Sequence, residues 1–328
     1  MGSTCESKDC GSKAASCPSA KKSGCGGSAA EAHIAQQETA IKTSLAKIKN
    51  KILVMSGKGG VGKSTVSTNL ALTLANRGYK VGLMDVDLHG PDICRMLNLT
   101  ESLQNAKGKS GGKLLPPMQA TNNLKVISLE YMMEDRDDPI IWRGPLKIQA
   151  IRQFIADVDW GELDYLIIDA PPGTGDEPLT ISSTIKDAQA LIVTTPQEVA
   201  LADVRKSINF CRHVKMKMVG LVENMSGLVC PHCRETVEVF KSGGGERTAA
   251  AAGILFLGKI PMDPLVVMGG DDGVPFLSSK AESPAVIAFN ELVTKVEAAM
   301  RPVKVELKTV GSGCGCGGGG CDPDKCDC

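Results

Sequence analysis

The sequence predicts an α/β fold: one doubly wound, mainly parallel sheet of seven strands, with flexible cysteine-rich tails at both ends. Three observations carry that expectation. Short continuous apolar runs recur along residues 51–260, the pattern of strands covered on both faces. Helical patterns lie between them, and strand–helix alternation builds parallel sheets. A glycine-rich turn, GKGGVGK, joins the first run to the first helical pattern.

Residues 1–30 are rich in Ser, Gly, Lys and Cys and have almost no large apolar side chain, so they cannot offset chain entropy by burial. A lead-in helix is expected over 31–50, where Ile34, Ile41, Leu45 and Ile48 have helical spacing. The expected strands are 51–55, 80–84, 124–128, 164–169, 190–195, 216–222 and 255–260. Val66, Leu70 and Leu74 form the buried stripe of a helix after the first strand. A last helical pattern covers 284–301, and 304–328 form a Gly/Cys-rich tail. Residues 51–303 then make a single domain.

Lys plus Arg and Asp plus Glu balance at 37 each, so no bulk charge draws the chain to nucleic acid or membrane. No apolar run approaches the roughly 18 residues of a membrane span, and the opening MGSTCESKDC lacks a secretory core. Both point to a cytoplasmic protein. Thiols stay reduced there, so 13 cysteines argue for metal or redox chemistry rather than a disulfide framework. Cys94 and Cys211 have apolar helical neighbours and read as packing residues.

Residues 57–64 satisfy G-x-x-x-x-G-K-S/T between an expected strand and helix, the context that gives the pattern meaning. The amides of Gly57, Lys58, Gly59, Gly60, Val61, Gly62, Lys63, Ser64 and Thr65 are then candidates to surround phosphates at a helix N-terminus. Lys63 reaches the terminal phosphates and the Ser64 hydroxyl holds Mg2+. LMDVDLHGPD and LIIDAPPGTGD place Asp85, Asp87 and Asp169 at strand ends, where open α/β sheets bind ligands. Phosphoryl transfer needs one acid near the metal and one orienting water; Asp169 suits the first and Asp87 the second. Taken singly, each is equally a turn or cap aspartate.

Lys58 beside the loop glycine, with DVDLHGPD and DAPPGTGD, resembles the deviant Walker A ATPases, which include MinD, ParA and the nitrogenase iron protein. The resemblance implies that Lys58 reaches the partner's nucleotide across a homodimer, much as an arginine finger does. By the same resemblance Asn224, in ENMSG after the strand MKMVGLV, faces an adenine, and the nucleotide is ATP.

CPHC puts Cys230 and Cys233 three apart after a strand-end loop. The pair reads in three ways: a redox disulfide, half of a zinc ribbon, or two of four thiolates meeting on a two-fold axis. A four-thiolate site suits a 4Fe-4S cluster, and spacing alone admits zinc as well. Five motifs in order, PIIWRGPL, DAPPGTGDEPLT, ENMSGLVCPHC, GGGERTA and GKIPMDP, are together similar to the Mrp/ApbC iron–sulfur cluster carriers over about residues 51–300. That likeness implies an ATPase whose CxxC pair holds a labile 4Fe-4S cluster between subunits, takes it from an upstream donor and delivers it to apo client proteins. The glycine-rich turn after Asp169 would sense the γ-phosphate and move the cysteine loops.

Cys5, Cys10, Cys17 and Cys25 resemble the second-cluster motif of cytosolic scaffold relatives, although those have a close CxxC pair absent here. The two C-x-C pairs of the C-terminal tail, Cys314/Cys316 and Cys326/Cys328, can chelate soft metals. A MinD- or ParA-type positioning ATPase is the alternative. Its membrane form calls for a basic amphipathic helix at the end. Its DNA form leans on the segment 204–217, a run more often simply a solvated helix face.

Overall fold

Ile52, Leu53, Val54 and Met55 are consecutive and fully buried, so helices cover both faces of their strand. That strand, β1 (Ile48–Ser56), is central to an eight-stranded sheet in the computed structural model, which describes residues 26–87, 90–100, 114–132, 144–230, 232–274 and 283–301. On one side of β1 lie β6 (Gln189–Thr194), β7 (Lys217–Glu223) and β10 (Phe256–Lys259). On the other lie β5 (Leu163–Asp169), β2 (Val81–Asp85), β4 (Leu124–Ser128) and the edge strand β3 (Met118–Thr121). All neighbours pair in parallel except β3 with β4.

The expected seven-stranded sheet is therefore corrected to eight. β3 buries Met118 but exposes Gln119, so it lacks the continuous apolar run that marks the other strands. A tight turn at Asn122 and Asn123 pairs it antiparallel to β4, and the Asn123 amide donates to the Ala75 carbonyl at 3.2 Å. The lead-in helix is displaced as well. α1 covers Gly26–Ala46, and Ile48 is already in β1, paired with Leu163 and buried.

The other α-helices among the described residues are α2 (Lys63–Asn76), the single turn α3 (Ile93–Met96), α4 (Gly144–Asp157), α5 (Asp176–Thr184), α6 (Glu198–His213), α7 (Gly244–Ala252), α8 (Pro264–Asp271) and α9 (Pro284–Met300). α1 packs on α4, α2 on α9 and α6 on α7. Local chemistry sets where the last two begin. Asp263 and Ser283 each cap a helix whose first residue is proline, where a missing N–H costs nothing. Cys94 and Cys211 are buried as expected, and burial pushes the Cys211 thiol up to about 11.

Candidate functional site

The loop from Gly57 to Gly62 leaves β1 and enters α2. Gly60 and Gly62 have φ of 76° and 78°, a left-handed conformation that a side chain resists. Gly57 is glycine for a different reason: a Cβ there would lie 2.4 Å from the backbone of Asp203 in α6. Gly62 supplies no side-chain cap to α2, which leaves the first N–H groups of that helix available to an anion. Lys58 makes no salt bridge among the described residues, and Gly59 and Gly60 beside it are exposed.

Parallel register brings the acids together, since Val54 pairs with Asp169 and Asp169 with Asp85. Lys63 Nζ donates to Asp169 Oδ2 at 2.7 Å and lies 3.5 Å from Asp87 Oδ2. Ser64 Oγ donates to the same Asp169 oxygen at 2.7 Å, and Ser67 Oγ to Oδ1 at 2.6 Å. Asp169 is wholly buried with both oxygens engaged. Burial alone would lower the Lys63 pKa, but the charge and hydrogen bond of Asp169, with Asp87 and Asp85, raise it, so the ammonium form is held. Asp85 has a raised pKa too, which for a carboxyl favours the neutral form. Burial first, and then the Asp169 charge, push it well above the usual carboxylate range. It accepts from the Asp87 N–H at 3.0 Å and from Ser128 Oγ at 3.1 Å, so it shapes the turn carrying Asp87.

Across the loop, Asn224 follows β7. Its side-chain amide donates to the Val61 carbonyl at 2.9 Å, and its N–H donates to the Thr194 carbonyl at 2.7 Å. A cavity of about 720 Å3 opens here, lined by Thr65, Asn224, Met225, Pro261, Met262 and Asp263 among others. It is continuous with the loop through Thr65.

Beyond Asn224 the chain forms a small ribbon, β8 (Leu228–Val229) and β9 (Thr236–Val237), with Cys230, His232 and Cys233 between the strands. The Cys230 N–H donates to the Glu235 carbonyl at 2.9 Å, and the Arg234 N–H donates back to the Cys230 carbonyl at 2.9 Å. Cys230 is half-exposed, and Cys233 and His232 are exposed. N–H groups of Cys233 and His232 aimed at the Cys230 sulfur, with the Cys233 thiol, hold its pKa below the usual thiol range. Among the described residues no group of three or more His, Cys, Asp or Glu is placed to hold a metal ion. Cys5, Cys10, Cys17, Cys25 and the five C-terminal cysteines lie outside the described residues.

Sequence reasoning missed Glu223. It is fully buried at the end of β7 and receives the Gly243 N–H at 2.9 Å, the Gly245 N–H, and Ser226 Oγ at 2.6 Å. A carboxylate thus sits at the N-terminus of α7, and the GGG run there has three causes: Gly243 is left-handed, a Cβ at Gly244 would lie 2.7 Å from the Pro196 carbonyl oxygen, and one at Gly245 would lie 3.0 Å from Glu223. Ser67 was missed too, being one helical turn past the loop motif. Only the acid-to-α2 register reveals it.

A glycine loop opening a helix, with a buried lysine and strand-end aspartates behind it, defines a P-loop nucleotide-binding protein. More particularly, the chain belongs to the ParA family described as NUBPL iron-transfer P-loop NTPases, whose model matches residues 47–297. It is 46% identical over 297 residues to the iron-sulfur cluster carrier protein of Methanocaldococcus jannaschii, covering 90% of this chain and 96% of that one. The cytosolic Fe-S cluster assembly factor CFD1 of Kluyveromyces lactis is 50% identical over 227 residues, 68% of this chain and 80% of that protein. Among solved structures, a nucleotide-binding protein of Archaeoglobus fulgidus in complex with ADP superposes with a TM-score of 0.63 at 37% identity, covering 74% of this chain and 94% of that chain. Pyrococcus furiosus MinD shares the fold, with a TM-score of 0.57 at 24% identity over 76% of this chain and 99% of its own.

Proposed function

We propose that this chain is an ATP-dependent iron–sulfur cluster carrier. Two copies hold a 4Fe-4S cluster as cargo on Cys230 and Cys233 of each, and hydrolysis gates its transfer to apo client proteins. The observation that carries this reading is the pair of accessible thiols on a ribbon rooted beside the phosphate loop. Two thiols per chain make half of a four-thiolate set, and a two-fold axis supplies the other half. The relatives named as cluster carriers and assembly factors favour iron–sulfur over zinc. The positioning-ATPase alternative leaves the thiols unused.

Lys63 is the phosphate-binding cation. In the described arrangement it is neutralised by Asp169 and Asp87, so an incoming triphosphate competes with these carboxylates for it. The hydroxyl of Ser64 and the carboxylate of Asp169 are an all-oxygen pair of the kind Mg2+ prefers, and Mg2+ would supply charge neutralisation for the leaving phosphate. Asp87 orients the attacking water, and Lys58, unpaired among the described residues, serves the partner's nucleotide. Asn224 and the adjoining cavity receive the adenosine. Hydrolysis is slow, acting as a switch. An upstream donor loads the cluster, and the chain works in the cytoplasm without nucleic acid or membrane. Among the described residues no helix is long and apolar enough to cross a membrane.

The test is anaerobic reconstitution of Cys230→Ser. It should lose the iron and sulfide held between subunits, while its nucleotide affinity, compared with wild type before either is offered a cluster, stays within about twofold. A variant that keeps the wild-type iron complement defeats the reading.

A further inference from the structure

The route from the phosphate loop to the thiols is short within one chain, and Asn224 sits on it. Its side chain grips the Val61 carbonyl at 2.9 Å, and Gly62 fits only because it has no side chain. A Cβ at Gly62 would lie 2.3 Å from the Asn224 amide nitrogen and 3.6 Å from the Met225 Cε. Asn224 is also pinned through its backbone, to Thr194. Met225 comes next at φ 56°, a left-handed conformation uncommon for a non-glycine residue. Ser226 then donates from its N–H to the Ile260 carbonyl at 2.9 Å and from its hydroxyl to Glu223. Gly227 accepts from the Met262 N–H at 2.7 Å, and Leu228 bridges to Met262 before the ribbon reaches Cys230.

Cys230 follows Asn224 by only six positions, and four of the five residues between them, 226–229, are held by a hydrogen bond or a strand pairing. The turn after Asp169 is connected differently. Gly173 donates to the Ser56 carbonyl at 2.8 Å, and among the described residues no hydrogen bond joins 170–175 to 224–237. A change at the Val61 peptide therefore has two outcomes. It breaks the Asn224 bond, or it drags a stiff segment that ends at the thiols.

We propose that Asn224 is a positioning residue coupling occupancy of the phosphate loop to the placement of Cys230 and Cys233 in the same chain. The inference rests on the carrier reading only in treating these thiols as the cargo site. Coupling between sites is reciprocal, so a loaded ribbon alters nucleotide affinity by the same factor.

The experiment uses the full chain, reduced and anaerobic, with iodoacetamide as probe and site-resolved mass spectrometry as readout. Alkylation rates of Cys230 and Cys233 are compared without nucleotide and with ADP or a non-hydrolysable ATP analogue, each at concentrations shown to saturate that variant. The wild type should change by about fivefold or more, the low end of equilibrium couplings, read here through the fraction of chains that present the thiols to the probe. Asn224→Ala and the near-isosteric Asn224→Asp, which cannot donate to Val61, should each fall below about twofold. A merely structural role would move the absolute rates and leave that ratio alone. Ser226→Ala, which loosens the ribbon's root away from the loop, should reduce the ratio as well and serves if the Asn224 variants do not fold. Retention of the wild-type ratio in the variants, or no nucleotide effect in the wild type, overturns the proposal. Iron content of the reconstituted wild type is measured separately: if the pair holds no cluster, the carrier reading fails while the alkylation ratio still decides the coupling.

Discussion

The phosphate loop and the cysteine ribbon start from neighbouring strand ends and are built on opposite terms. Around the loop, Lys63 and Asp169 are 6% and 0% exposed, and each Asp169 oxygen has a named donor. The ribbon has two residues in each strand, and Val237 in β9 and Val239 just after it are 52% and 47% exposed. A two-stranded ribbon of that size is not stable alone, and this one is fastened at its root to Met262. At the nucleotide end the buried charges find their partners within one chain. The thiol end presents two accessible sulfurs, Cys230 and Cys233, and among the described residues no third His, Cys, Asp or Glu joins them in a group placed to hold a metal ion.

Substitutions ranked by their cost to the fold can break or sharpen that contrast. Lys63→Ala should cost most, about 3 kcal/mol, because it strips the cation from buried carboxylates. Denaturant unfolding reads that loss, and ATP hydrolysis should drop about 100-fold or more. Gly62→Ala comes next at about 2 kcal/mol, combining a left-handed backbone with the collision at Asn224. Gly59→Ala is its control: the nearest atom to a Cβ there is 3.9 Å away, so thermal unfolding should shift by less than about 0.5 kcal/mol.

Asp85→Asn has a smaller effect with a pH signature. The folded state raises the Asp85 pKa, so it binds the proton more tightly than the unfolded chain does. Its contribution is favourable below the unfolded value near 3.9 and is lost as pH rises through the folded value. The asparagine variant should therefore melt higher than wild type at pH 8, with the gap closing toward pH 4. A gap independent of pH would show that Asp85 stays ionised. Smallest for the fold is Cys230→Ser, within about 0.5 kcal/mol because the thiol is not in the core. An unfolding loss well beyond that would mean the ribbon is built into the domain after all.

The same contrast explains what could be read from sequence. Strands with continuous apolar runs were legible, and so was the loop, because its glycines, lysine and serine are contiguous. β3 was not, since an edge strand with one buried residue looks like loop. Glu223 escaped because its partners Gly243 and Gly245 lie 20 and 22 residues on, and only the meeting of β7 with α7 unites them. Asp85 was visible as an acid, but its raised pKa needed the register that sets it beside Asp169. The thiol pair was plain, whereas its attachment to the loop through Asn224 was not, because Asn224 matched a base-contacting pattern first.

The most direct measurement is the mass and the iron content of the reconstituted full chain, taken together by light scattering and metal analysis under anaerobic conditions, with and without ATP and in parallel with Cys230→Ser. A cluster bridging two copies predicts a dimer whose iron exceeds that of the serine variant by four atoms per pair of chains, with the difference responding to nucleotide. A monomer, or a serine variant with undiminished iron, would contradict it.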